Sequence, residues 1–180
     1  MRGNVCLITT VLACGAQVTC VPILHAGPPG TPRLTAATAT LGSASVTPGT
    51  ISFSANNPDA GAVFGSAPAN VTWMLLSGSQ TQNWTLTVQA GATSFIGCPT
   101  IPLSAVRVTC NSATVSGGSG NGVCNGSFPL STTPQQVAGG AEGDGSNAYS
   151  VSLTFTLAES WRYIANSTCS LTITYFITAP

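Results

Sequence analysis

Cysteines have the clearest chemistry in this sequence, and the four in its second half are Cys98, Cys110, Cys124 and Cys169. No two of them have the C-x-x-C spacing of a zinc site, and the single histidine, His25, lies near the N-terminus. An even number of cysteines without that spacing predicts two disulfides rather than a metal site. Four cysteines allow three pairings. We favour Cys98–Cys110 with Cys124–Cys169, although the spacing leaves the other pairings open.

Catalysis has few side chains to draw on. The chain contains no lysine, and a serine or cysteine nucleophile needs a nearby base, usually histidine. Glu142 and Asp144 are the only close pair of acids, and they lie in a glycine-rich stretch. Such a pair could serve glycoside hydrolysis or calcium binding, but calcium takes about six to eight oxygen ligands. The sequence therefore predicts a solvated loop here, with no catalytic residue, metal or cofactor.

Charged residues are scarce. They make up 4% of the 180 residues, against about a quarter in an average soluble domain. The four basic residues are Arg2, Arg33, Arg107 and Arg162. Nucleic acids and acidic lipid surfaces are bound through clustered positive charge, which these scattered arginines do not supply. A formal net charge of zero gives little repulsion between copies, which favours self-association or association with other surface proteins.

Residues 1–26 have the pattern of a secretory leader, or signal peptide. Arg2 supplies the positive start, Val5–Leu12 supplies the apolar core, and Ala26 is a small residue at which the leader would end. We therefore predict a secreted, extracellular protein of the cell surface. A loose lipobox ends at Cys14, so lipidation there is the alternative fate of this segment.

Two further boundaries follow from the leader. Residues 27–35 begin Gly-Pro-Pro-Gly, which cannot join a helix or a central strand, and we predict a linker or N-terminal arm. Residues 36–180 then form the folded domain. No stretch of the sequence is long and apolar enough to predict a transmembrane helix.

Three runs of the chain, 84–88, 151–157 and 171–177, alternate apolar with polar residues. A period of two with one apolar face is typical of antiparallel sheets that pack on one side. Turns rich in Gly, Pro and Asn separate the apolar runs. We predict an all-β fold, an antiparallel β-sandwich of Ig-like or Greek-key type with about seven to nine strands and little or no helix.

Two short motifs give the chain a resemblance to a known family. Trp84 and Leu86 form a Trp-x-Leu on a predicted strand, and the chain ends in a threonine-rich strand followed by Ala-Pro. This order resembles WxL-type cell-surface domains over residues 40–180. The resemblance implies a secreted β-rich domain that attaches non-covalently to the cell wall. Tyr175 and Ile177 stand where that family has its second Trp-x-Leu, so the resemblance supports a shared topology more than a shared role in wall binding.

The chain also resembles pilus and fimbrial subunits, which combine a leader, few charges, threonine-rich strands, a disulfide and an apolar terminal strand. In such assemblies an extended segment of one subunit completes the sheet of another. This resemblance suggests residues 34–47 as a donor segment, with Leu34, Leu41 and Val46 as its larger apolar residues. The alternative is that residues 34–47 form an ordinary first strand of the domain's own sheet.

Aromatic side chains are the remaining groups that could contact a ligand, since exposed rings can stack on sugars. Trp84 shares the apolar face of its strand with Leu86, which predicts a place in the core. Trp161 and Tyr163 flank Arg162 in a connection and are the predicted contacts for a glycan or a protein partner. Their alternative place is in the core or at its rim.

These patterns predict a secreted, non-catalytic structural protein that assembles into an extracellular filament or layer. The alternative function is a cell-wall or glycan-binding surface module of WxL type. Neither function involves nucleic acid or a cofactor.

Overall fold

The structure, a computed structural model, describes residues 4–12, 17–20, 40–53, 61–158 and 169–180. Within these ranges the regular elements are antiparallel strands, apart from one 3-10 turn at Leu103–Ala105. The prediction of an all-β antiparallel fold is confirmed. Among the described residues, no helix has the length and apolar character needed to cross a membrane.

One sheet, called the first sheet, contains six strands. They are β1 (Asn4–Leu12), β2 (Gln17–Cys20), β6 (Asn83–Ala90), β10 (Val123–Cys124), β12 (Gln135–Ala141) and β14 (Leu171–Ala179). Their order across the sheet is β10-β12-β6-β14-β1-β2. The C-terminal strand β14 therefore lies between β6 and the N-terminal strand β1.

The second sheet has the order β11-β9-β13-β5-β3, and a short strand, β4, also pairs with β13. These strands are β3 (Thr40–Thr47), β4 (Ala62–Phe64), β5 (Ala69–Gly78), β9 (Val106–Ser116), β11 (Ser127–Pro129) and β13 (Gly145–Ala158). A separate hairpin joins β7 (Ser94–Phe95) and β8 (Cys98–Pro102). The described residues hold more strands than the sequence predicts, because four strands have only two or three residues and because β1 and β2 lie within the predicted leader.

The two sheets pack face to face through the inward residues of their alternating strands. In β14, Leu171, Ile173, Tyr175 and Ile177 are at most 1% exposed, whereas the residues between them are half-buried. Burial of each large apolar side chain is worth about 1.5–3 kcal/mol. The period of two therefore decides which face of each strand joins the core, as the sequence predicts.

Three aromatic rings join the two sheets at one end of this core. Trp73 of β5 stacks on Tyr149 of β13, with ring centroids 5.1 Å apart and planes inclined by 4°. Trp84 of β6 meets both rings edge-on, at 5.1 and 5.7 Å. Its Nε1 donates a hydrogen bond to Asn121 O at 3.0 Å, so the polar group of this buried indole is satisfied.

The disulfides join Cys98 to Cys169 and Cys110 to Cys124. All four predicted cysteines are therefore bridged, but the pairing that we favoured from the sequence is wrong. The observed pairs tie the β7–β8 hairpin to the start of β14, and tie β9 to β10.

Backbone pairing explains why Cys98 meets Cys169. Ile96 and Ser170 form an isolated antiparallel bridge with reciprocal hydrogen bonds of 2.8 and 3.0 Å. This bridge brings the start of β8 beside the start of β14, although the two are about 70 residues apart in the sequence. A long-range pairing of this kind leaves no signal in cysteine spacing.

Residues 139–143 of the glycine-rich stretch are packed against other backbones, whereas Asp144 and Gly145 are exposed, so only the end of the stretch is solvated as the sequence predicts. Its first residues belong to β12. A Cβ added to Gly143 would lie 2.5 Å from Gly120 N, and one added to Gly78 would lie 2.5 Å from Gly143 O. Glycines are needed here because three chain segments approach within backbone contact.

Candidate functional site

Strand β14 brings the two WxL-like positions together. Its neighbour β6 carries Trp84 and Leu86, and Ile177 of β14 lies opposite Leu86 in the register. Trp84, Leu86, Tyr175 and Ile177 are all 0% exposed. The predicted core position of Trp84 is confirmed, and in this structure the four side chains offer no surface to a ligand.

The other edge of β14 is covered by β1. The two strands pair over nine residues, from Leu12 opposite Leu171 to Asn4 opposite Ala179. β1 also contacts β3 of the second sheet. On the side away from β14, β1 pairs with β2. Both β1 and β2 fall within residues 1–26, the predicted leader. That leader remains a prediction, and its removal would take from this edge of β14 the strand that covers it here.

Backbone groups of β14 alternate between its two neighbours. Gly91 N donates to Thr172 O at 2.9 Å, which places the polar groups of Thr172 on the β6 side. In an antiparallel ladder the N–H and C=O of one residue point to the same neighbour, and those of the next residue point to the other. Ile173, Tyr175 and Ile177 therefore direct their N–H and C=O groups toward β1.

The two neighbouring acids, Glu142 and Asp144, hold the turn between β5 and β6. Ser79 N donates to Glu142 Oε2 at 3.3 Å. Gln80 donates to both carboxylate oxygens of Asp144, from its backbone N at 3.1 Å and from Nε2 at 2.6 Å. Both carboxylates thus serve the fold. In the described ranges, no three His, Cys, Asp or Glu side chains form a group that could hold a metal ion.

Glu142 is fully buried, at 0% exposure, which corrects the predicted solvated position. Burial raises the pKa of its carboxyl group, and the hydrogen bond from Ser79 N opposes that rise. The remaining oxygen, Oε1, receives no hydrogen bond from the described residues. Tyr149 donates its hydroxyl to the Glu142 carbonyl oxygen, and burial, followed by the nearby Glu142 charge, raises the pKa of Tyr149 to about 12.

Glu142→Gln is expected to make the protein more stable than wild type at neutral pH and to bring little gain in acid. A carboxyl whose folded pKa is raised stabilises the fold fully below its unfolded pKa, and this stabilisation is lost as pH rises through the folded pKa. Glutamine keeps an oxygen for Ser79 N and carries no charge. Urea unfolding of both proteins, from acid to neutral pH, measures the difference between their free energies of unfolding. An unchanged difference at every pH would contradict the buried position of Glu142.

The predicted donor residues divide between two parts of the chain. Leu41 and Val46 lie on β3, which pairs with β5 of the same chain, and Val46 is buried. In this structure residues 40–47 therefore form a strand of their own domain. Leu34 lies outside the described residues, as do Trp161 and Tyr163.

The surface of the described residues is nearly uncharged. Three of these residues carry a charge, namely Arg107, Glu142 and Asp144, and Glu142 is buried. The outer face of the second sheet is instead rich in hydroxyl groups. An open depression of about 290 Å3 lies there, around Met74. Its serine and threonine side chains are Ser43, Ser45, Thr72, Thr114, Ser116 and Ser150.

No family model matches the chain, and neither a curated protein nor a solved structure matches it.

Proposed function

We propose that this chain is a secreted, non-catalytic structural subunit whose copies assemble into an extracellular filament or layer. The observation that carries the proposal is the nearly uncharged surface, on which Arg107 and Asp144 are the exposed charges of the described residues. Such a surface offers little repulsion against a second copy. The two disulfides fit an oxidising environment outside the cell.

The non-catalytic part of the proposal is supported by the use of the carboxylates. Glu142 and Asp144 are the neighbouring acids that could have acted as a pair, and each is bonded to the turn between β5 and β6. Asp144 has both oxygens engaged by Gln80. Two carboxylates held in this way stabilise the junction between the β5–β6 turn and the glycine-rich stretch.

Assembly is tested on the exported product of the full-length gene. We expect filaments or sheets in negative-stain micrographs, together with fast-sedimenting material at both low and high salt. Salt should have little effect because screening weakens ion pairs, and this surface has few charges to form them. An exported protein that stays monomeric over a wide concentration range would contradict the proposal.

A glycan-binding module is the second function that a specific observation favours. The depression around Met74 is lined by hydroxyl groups, which can exchange hydrogen bonds with an uncharged sugar. In that case the exported protein should remain monomeric and sediment with isolated cell walls. Thr72→Val and Ser150→Ala together should then weaken wall binding, while the matched change Thr87→Val on the first sheet should not.

A further inference from the structure

We propose that Asn125 and Gly126 form a self-modifying site, at which water converts the side-chain amide of Asn125 to an aspartate or an isoaspartyl linkage. The sequence contains two Asn-Gly pairs, and the fold protects the other one, Asn121 and Gly122, from the same reaction. The reaction takes place within one copy of the chain, so it does not depend on the proposed assembly.

The reaction needs only the side-chain amide, the next backbone nitrogen and water. The nitrogen of Gly126 attacks Cγ of Asn125, and the Cγ–Nδ2 bond breaks to release ammonia, which takes up the proton of that nitrogen. Water then opens the resulting succinimide ring. Cleavage of the new Cγ–N bond leaves aspartate, whereas cleavage of the original C–N bond leaves an isoaspartyl linkage, and nothing is oxidised or reduced. Glycine favours the attack because it has no Cβ to shield the nitrogen.

The surroundings of Asn125 leave room for the ring. Asn125 is exposed, and its side chain is held by a long hydrogen bond of 3.3 Å from Nδ2 to Gln136 O. Gly126 lies between β10 and β11 with a φ of 97°, a region that glycine adopts without steric cost. A Cβ added to Gly126 would meet none of the described atoms within 4 Å. The Gly126 nitrogen can therefore reach Cγ through local motion of two exposed residues.

Asn121 is exposed too, but its polar groups are bonded to neighbouring segments. Its Oδ1 accepts a hydrogen bond from Ala141 N at 2.8 Å, and its carbonyl oxygen accepts one from Trp84 Nε1 at 3.0 Å. Gly122 is packed against β9, since a Cβ added to it would lie 2.6 Å from Ala113 O. Ring closure would turn the peptide group that bonds Trp84 and pull Gly122 away from β9. The reaction at Asn121 therefore requires local unfolding.

The modification would change the corner between the two sheets. Residues 125–126 connect β10 of the first sheet to β11 of the second. Asn125 donates to Val137 O from its backbone N at 2.9 Å and to Gln136 O from Nδ2, where the pairing of β12 with β6 shifts register. Aspartate replaces this side-chain donor with an acceptor, and an isoaspartyl linkage lengthens the main chain by one atom. Both products add a negative charge, so we expect the modified corner to be less stable.

The test follows both Asn-Gly pairs in one molecule. The full-length product is kept in mildly alkaline buffer, which favours loss of the proton from the attacking nitrogen, and peptide mass spectrometry locates each product. In the native protein Asn125 should react more than about tenfold faster than Asn121, because the second reaction requires local opening. In the reduced chain in urea the two rates should become similar. Equal native rates, a faster reaction at Asn121 or a native Asn125 that stays intact would each overturn the proposal.

Two variants of Asn125 test the site and its consequence. Asn125→Gln should suppress the reaction, since the longer side chain would have to close a larger ring. Asn125→Asp imitates one product and should lower the urea concentration at the midpoint of unfolding. Its matched control is Asn83→Asp, which adds the same charge at the exposed start of β6 and should have less effect. Equal shifts would overturn the expected loss of stability at the corner, while the rate comparison decides the reaction itself.

Discussion

Removal of the Cys98–Cys169 disulfide is expected to lower the free energy of unfolding by about 4 kcal/mol, the larger of the two disulfide effects. This bridge joins residues 71 apart in sequence, whereas Cys110 and Cys124 are 14 apart. Closing the longer loop removes more conformational entropy from the unfolded chain. Because the bridge also fixes the start of β14, its loss should loosen the beginning of that strand.

The measurement is urea unfolding of the double variant Cys98→Ala/Cys169→Ala under non-reducing conditions. The matched control is Cys110→Ala/Cys124→Ala, for which the same reasoning gives about 3 kcal/mol. A native domain has about 5–15 kcal/mol in total, so both losses are measurable. A larger loss in the control would contradict the loop-length argument for this fold.

Trp84→Ala is expected to lower the free energy of unfolding by about 3–5 kcal/mol. The indole is fully buried, touches the rings of Trp73 and Tyr149, and donates a hydrogen bond to Asn121 O. Alanine would leave a cavity between the two sheets and an unpaired acceptor in the segment that leads to β10. The aromatic cluster should therefore loosen together with the glycine-rich end of the sandwich.

Thr87→Ala provides the control on the same strand. Thr87 alternates with the buried residues of β6 and is half-buried on the outer face, so its change should stay within about 0.5 kcal/mol of wild type. Urea unfolding at neutral pH measures both variants. If Trp84→Ala cost no more than Thr87→Ala, the motif tryptophan would not be a core residue, and its role as a binding residue would have to be reconsidered.

Local patterning was enough to predict the faces of the long strands. Leu171, Ile173, Tyr175 and Ile177 are buried as their alternation indicates, because a strand offers only two faces and burial of apolar groups decides between them. The same argument placed Trp84 and Leu86 in the core. These conclusions need no knowledge of the neighbouring strand, since the period is a property of the chain itself.

The position of Glu142 could not be predicted in that way. Its neighbours are glycine and alanine, a composition that usually indicates an exposed loop. Glu142 is buried because the turn at Gly78–Ser79 contacts its side chain and Gly120 lies against its backbone carbonyl. Contacts between segments so far apart in sequence have no local signature.

By itself, the sequence determined the all-β class, the inward faces of the strands, the bridging of all four cysteines and the scarcity of surface charge. Those properties depend on residue type and on a period of two. Only the tertiary structure decided which cysteines pair and which strand lies on each side of β14. Both depend on long-range strand pairing, as in the bridge of Ile96 to Ser170 and the ladder of β1 with β14. Backbone hydrogen bonds are nearly independent of side-chain identity, so strand order is set by the packing of the whole sandwich and not by any local run of residues.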